Sequence, residues 1–211
     1  TLFVLVCAAK LLVLRQNPLQ VPYLDQWDGE ARALFIPFGE CSLSWPQMFN
    51  LHNEHRVFFT RLFSLAELLI NRQWDPRLQQ VLNAVLHSGT GVLLMAMCWL
   101  ALGRRRLDWL VGVGVLTFLA PFAWENTLQG FQSAFYLVLL MSLLALWLTT
   151  HRPLWSAGWW LGWFCAIAAI FTVAGGVVVP PIIVAMTVLA GDWRQQRARL
   201  LWTLVAAGVV T

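Results

Sequence analysis

Apolar residues run along this chain in long blocks separated by short polar breaks, and the blocks have the length of membrane-crossing helices rather than of core strands. Residues 81–102 make a full span. Residues 2–14, 107–123, 134–149, 155–174, 180–190 and 200–211 make six more, the first and last cut short by the ends of the chain. The opening block lacks a charged leader and a small-residue cleavage site, so it is expected to be the outer part of a span and not a signal peptide. The pattern predicts an all-α integral membrane protein, a polytopic helical bundle of about seven spans forming one membrane module over residues 1–211, and a piece of a longer protein.

Residues 57–70, "VFFTRLFSLAELLI", are too short to span and too apolar for water. Thr60, Ser64, Glu67 and then Asn71 recur at helical spacing, with Arg56 leading into the same face. An amphipathic helix is expected on the outer membrane surface, its Phe and Leu side chains in lipid or against the bundle. "GEARALFIPF", residues 29–38, is a shorter candidate of the same kind.

Composition agrees with this frame. The chain is 59% hydrophobic and 11% charged, with thirteen Trp and a mean hydropathy of +0.67, whereas a soluble domain carries about a quarter charged residues. The net charge of +4 comes from arginines dispersed between apolar blocks, which argues for membrane lipids and no nucleic acid as partners. Arg104, Arg105 and Arg106, then Arg152, then Arg194, Arg197 and Arg199, mark alternate loops as cytoplasmic by the positive-inside rule. Residues 16–80 then lie outside, and they hold Asp25, Asp28, Glu30, Glu40, Glu54, Glu67 and Asp75. Glu125 joins them in the next outer loop, while Asp108 and Asp192 are alone on the opposite side. Segregation this strong points to function on the outer side; the blander alternative is that insertion bias excludes acids from cytoplasmic loops.

Cys7, Cys98 and Cys165 fall inside spans and only Cys41 in an outer loop, so neither a disulfide framework nor a zinc site is expected. Three polar clusters remain on the outer side. Asp25 and Asp28 share one face if Asp25 caps a helix beginning near Gln26. "NLHNEHR", residues 50–56, offers His52, Asn53, Glu54, His55 and Arg56. "WENTLQGFQSAFY", residues 124–136, sets Glu125, Gln129, Gln132 and Tyr136 at helical spacing. Polar groups at a membrane mouth turn toward a cavity, because burying them in lipid costs several kcal/mol. Each has a blander reading: Asp25 as a helix cap, the histidines as structural hydrogen-bonders, and the glutamines, like Asn83 and His87, as interhelical hydrogen-bonders. The Trp-rich "LWSAGWWLGW" reads as an interface belt.

A short first span, a long outer loop with acids near its start and surface helices, then several spans on short loops, resembles the GT-C superfamily of integral-membrane glycosyltransferases. "NEHR", "WENTLQGFQ" and "FTVAGGVVVPP" look like recurring segments of a bacterial branch of GT-C-like membrane proteins. The acid spacing departs from the superfamily's adjacent or alternate carboxylates, being "DQWD" here. The resemblance implies a bacterial inner (plasma) membrane protein that transfers a sugar from a polyprenyl-phosphate carrier to a glycan, lipid or protein acceptor on the extracytoplasmic side. It implies inverting displacement with Asp25 or Asp28 as the catalytic base, Arg56 and Arg61 on the lipid phosphate, Glu54 and His55 beside them, and Glu125, Asn126, Gln129 and Gln132 on sugar hydroxyls. Asp25, Asp28 and His55 are the candidate ligands of a divalent cation such as Mg or Mn, or they simply hydrogen-bond. The alternatives are a transporter or flippase, for which His87 is the one good candidate near the midplane, and a non-catalytic binder of lipid-linked sugar.

Overall fold

The longest apolar block becomes the longest helix, and it starts five residues before the expected span. Asp75 is its N-cap: the carboxylate accepts from the amides of Arg77 (2.8 Å) and Leu78 (3.1 Å), and Pro76 occupies the first turn, where a missing N–H costs nothing. In the computed structural model the described residues are 1–17, 21–103, 107–120, 124–189 and 197–210, and no strand occurs among them. Arg104, Arg105, Arg106 and Arg194, on which the expected orientation partly rests, lie outside the described residues, as do Pro121, Ala123, Ala190, Asp192 and Thr211.

The helices are α1 (Leu2–Gln16), a π-helix (Gln26–Phe35) running into α2 (Ile36–Gly39), α3 (Trp45–Met48), α4 (Phe58–Asn71), α5 (Pro76–Leu102), α6 (Leu107–Leu119), α7 (Trp124–Leu128), α8 (Ser133–His151), α9 (Ala157–Ile170), α10 (Val179–Leu189) and α11 (Arg197–Val210). Short 3₁₀ turns, Gly130–Gln132 and Ala174–Val178, lead into α8 and α10. At 1.5 Å per residue the 27 residues of α5 reach about 40 Å, beyond the ~30 Å of a bilayer core. Of the seven expected spans, α5 and the segment Gly130–His151 are the two among the described residues long and apolar enough to cross a membrane. Asp108–Leu119, Ala157–Ile170 and Ala174–Leu189 are apolar but shorter.

The chain divides into two compact units, residues 1–52 with 57–136, and residues 53–56 with 137–211. In the first, α1 packs on α5 and α6, and Val6, Leu14, Leu34, Ala84 and Phe118 are buried. α4 is inside-out: Thr60, Arg61, Ser64 and Glu67 are its buried residues, whereas Leu69 and Ile70 are exposed. This matches the expected amphipathic pattern and fixes its sense, polar stripe inward and apolar stripe outward. Arg61 anchors that face by donating from Nη1 to the carbonyls of Gln47 (3.1 Å), Met48 (3.0 Å) and Asn50 (2.6 Å), at and just past the end of α3.

The second unit packs Ala145, Trp159, Trp163, Cys165, Ala166, Ala169, Val179 and Ile183 into one core. Gly162 sits against Leu148 and Thr149, a small residue letting two helices approach. Arg199 closes the end of α8, donating from Nη1 to the Thr150 carbonyl (2.6 Å) and from Nη2 to that of Arg152. All four cysteines are free thiols.

Because Asp75 holds two amides that no other group takes up, Asp75→Ala should cost about 1 kcal/mol of stability. Reversible denaturation in mild detergent micelles measures it; a loss under about 0.3 kcal/mol would mean that tertiary packing alone fixes the start of α5.

Candidate functional site

The site grows from one buried carboxylate. Glu30 lies on the π-helix, where i→i+5 hydrogen bonds wind more residues into each turn than the 3.6 of an α-helix. Residues four apart therefore align better than on an α-helix, and Gln26 donates from Nε2 to Glu30 Oε2 at 2.9 Å. Ser64 Oγ on α4 and Gln79 Nε2 on α5 both donate to Glu30 Oε1, each at 2.6 Å. Gln26 Nε2 also donates to Gln79 Oε1 (2.9 Å), and the Trp74 indole N–H reaches the same oxygen at 3.3 Å. Gln26 Oε1 in turn accepts the Tyr23 amide (3.1 Å), so both ends of that side chain are used.

A second carboxylate joins the network from the next turn of α4. Glu67 is buried, and its Oε1 has no hydrogen-bond partner. Burial pushes the Glu67 carboxyl up to about 7, the Glu30 charge adding to the rise and the nearby Gln79 amide opposing it. Burial likewise raises Glu30, against its three side-chain hydrogen bonds. The Glu30 charge thus favours the protonated form of Glu67.

The third cluster docks on the same network through glycines. A Cβ on Gly130 would stand 2.6 Å from Gln79 Oε1 and 2.7 Å from Gln26 Nε2, and one on Gly29 would stand 2.8 Å from the Phe131 ring and 3.3 Å from His52 Cε1. His52 and Phe131 meet edge to face at 5.0 Å. The expected helical run through Glu125, Gln129, Gln132 and Tyr136 is therefore corrected: α7 stops at Leu128, Gln129 is extended, and a 3₁₀ turn follows. The carbonyls that this break frees are claimed by α5, Gln80 Nε2 donating to Leu128 O (2.6 Å) and Asn83 Nδ2 to Gly130 O (2.7 Å). Gln80, Asn83 and Gln79 form one polar stripe on the outer turns of α5.

Asp25 and Asp28 sit on the solvent side of this assembly. Asp25 is the N-cap residue of the π-helix as expected, but its side chain makes no capping hydrogen bond, and both aspartates are exposed. The π winding also swings residues three apart further round than an α-helix would, so the two acids share a face less closely than α spacing predicts. Between them Trp27 is 55% exposed and meets Trp74 edge to face at 6.0 Å.

The remaining candidates scatter. Arg61 is corrected from phosphate ligand to structural pin, since it is buried with Nη1 committed to three carbonyls. Gln129 is buried and accepts from Gln132 Nε2 at 2.6 Å, so the two glutamines bond each other. Asn126 contributes its carbonyl to the Tyr136 hydroxyl (3.2 Å), and Glu125 is exposed. Glu54 and Arg56 are exposed turn residues of the second unit, where the Ala174 amide donates to His55 Nδ1 at 3.4 Å. Among the described residues no group of three His, Cys, Asp or Glu side chains is gathered that could hold a metal ion. Glu30 and Glu67 were the residues that spacing alone did not single out, although Glu67 stands on the polar stripe of α4, and a polar stripe on so apolar a helix already implies an inward polar face.

A carboxyl raised from 4.5 to about 7 binds its proton more tightly folded than unfolded, so stability falls as pH rises through that window and is level above it. Glu67→Gln should flatten much of that fall and stabilise the protein at pH 8 by up to roughly 3 kcal/mol, Glu30 retaining a slope of the same sign. Denaturation of wild type and variant in micelles from pH 4.5 to 8 reads both effects; identical profiles would mean that Glu67 ionises as freely folded as unfolded.

Comparison of the chain with protein-family models, with curated proteins and with solved structures finds no match, so a functional reading rests on the residues themselves.

Proposed function

We propose that the chain is a polytopic membrane glycosyltransferase of the GT-C type, moving a sugar from a polyprenyl-phosphate carrier to an acceptor on the extracytoplasmic side. Asp25 is the general base and Asp28 its partner. The observation that carries the reading is the convergence, within one unit, of the "DQWDGE" helix, His52 of the "HNEHR" segment and the "LQGFQ" turn on the Gly29–Phe131 and Gly130–Gln79 contacts. A buried network clamps the π-helix through Gln26 and Glu30 and leaves Asp25 and Asp28 exposed, which is how a reacting carboxylate is held on a rigid element.

The chemistry asks for a base, a surface for the sugar and a path for the carrier. A carboxylate that takes the proton from an incoming hydroxyl is typically worth 100-fold to 10,000-fold in rate. The exposed face of Trp27 between the acids gives the apolar side of a sugar ring something to rest on. A cavity of about 570 Å³ alongside α4, lined by Phe38, Leu43, Met48, Leu62 and Leu65, is apolar enough for an isoprenoid chain. In this reading α1, α5, α6, α8, α9, α10 and α11 are the spans, with Arg152, Arg197 and Arg199 on the cytoplasmic side.

A second reading is carriage of a lipid-linked sugar without transfer, for which the buried Glu67, its Oε1 unpartnered, is the group that would load and release a proton. Purified protein supplied with radiolabelled sugar on a panel of polyprenyl phosphates, with and without EDTA, separates the two. Transfer should fall at least 100-fold in Asp25→Asn and further in the double variant with Asp28→Asn, both keeping the wild-type melting temperature. Full transfer in the double variant would overturn the assignment, and binding of labelled lipid-sugar without turnover would favour carriage.

A further inference from the structure

The chain has one lysine, and it stands in the middle of an apolar helix. Lys10 on α1 reaches across to α7, donating from Nζ to Thr127 Oγ1 at 3.1 Å, and its ammonium lies 5.7 Å from the Tyr136 ring centroid. Neither partner carries a negative charge. An ammonium in such surroundings, with two of its three donors uncommitted, marks a functional position by default.

Beside it lies a cavity of about 150 Å³ lined by Lys10, His87, Thr117, Phe118, Trp124 and Thr127. His87 projects from α5, stacked on Tyr136 at 4.8 Å and tilted on Phe118 at 5.2 Å, and its Nδ1 is buried without a partner. The ring is thus oriented by two aromatics with a nitrogen free to donate in the appropriate tautomer. The Thr117 hydroxyl also lines the space, and among the described residues no acid does. The volume is many times the ~10–15 Å³ that one water needs. All of these residues belong to the first unit.

We propose that this cavity is a binding site for a single phosphate group, held by the Lys10 ammonium and the His87 imidazole. An oxyanion supplies the counter-charge that Lys10 lacks and accepts from His87 Nδ1, so one ligand satisfies both groups. The phosphate comes either as the monoester headgroup of an anionic membrane lipid or as a soluble ion. The site asks nothing of Asp25 or Asp28, and only the lipid source depends on the membrane reading.

The test uses the full chain in micelles, with dioleoyl phosphatidic acid, dioleoyl phosphatidylcholine and inorganic phosphate as probes, read by native mass spectrometry and by melting temperature. Wild type should retain one phosphatidic acid at least tenfold more tightly than phosphatidylcholine, or be raised several degrees in melting temperature by millimolar inorganic phosphate. The first result alone assigns a lipid phosphate; both together assign phosphate from either source. Lys10→Arg should keep the preference, Lys10→Met should abolish it, and His87→Phe, which preserves the stack on Tyr136, should weaken it several-fold. Wild type that holds phosphatidic acid no better than phosphatidylcholine and ignores inorganic phosphate overturns the site. So does a preference that survives in both Lys10→Met and His87→Phe, and should Lys10→Met fail to fold, survival in His87→Phe alone decides against it.

Discussion

Everything in the first unit is arranged around the need to satisfy one buried carboxylate. Among the described residues no cation pairs with Glu30, so its hydrogen-bonding capacity is met by neutral donors drawn from its own helix, from α4 and from α5. A buried acceptor left unmet costs about 1–3 kcal/mol, more if it is charged, so each donor fixes the element it comes from. Ser64 on the stripe that turns α4 polar side in, Gln79 on the start of α5 and Gln26 on the π-helix are thereby placed within one hydrogen-bond length of a common point. The "LQGFQ" turn then fits only because Gly130 has no side chain where the Gln26–Gln79 bond passes.

That arrangement divides labour between two kinds of acid. Glu30 and Glu67 are buried and carry raised proton affinities, and Glu30 ties the π-helix to α4 and α5. Asp25 and Asp28 are outside on the same stretch of chain and make no structural hydrogen bond through Asp25 at the cap. Residues 25–30 thus supply both the buried Glu30 and two exposed carboxylates. The second unit works differently, through close contact of Ala, Gly and Trp, with Arg199 tying off the end of α8.

The sequence made the apolar helices plain, because a hydrophobic block is a local property, and it marked α4 through its polar stripe. It also brought forward the three outer clusters, and His52, Gly29 and the "LQGFQ" turn do meet. What it did not disclose is non-local. Arg61 has the composition of a phosphate ligand, and only the fold reveals that three carbonyls of the preceding loop occupy it. Gln129 and Gln132 look like sugar contacts until the chain breaks between α7 and α8 and turns them on each other. Gln26 and Glu30 are four apart and so neighbours on any helix, but that they meet Ser64 and Gln79 is a property of the fold and not of the spacing.

The π winding has a consequence for how this stretch is matched to others. A π turn takes up one residue more than the α turn it replaces. Setting Gln26–Phe35 beside an ordinary α-helix without a gap can superpose either the outer acids or the inner Glu30 on their structural counterparts, but not both. A one-residue gap inside the segment brings the two faces into register together, and the position of that gap, rather than the letters on either side, tells which acids correspond.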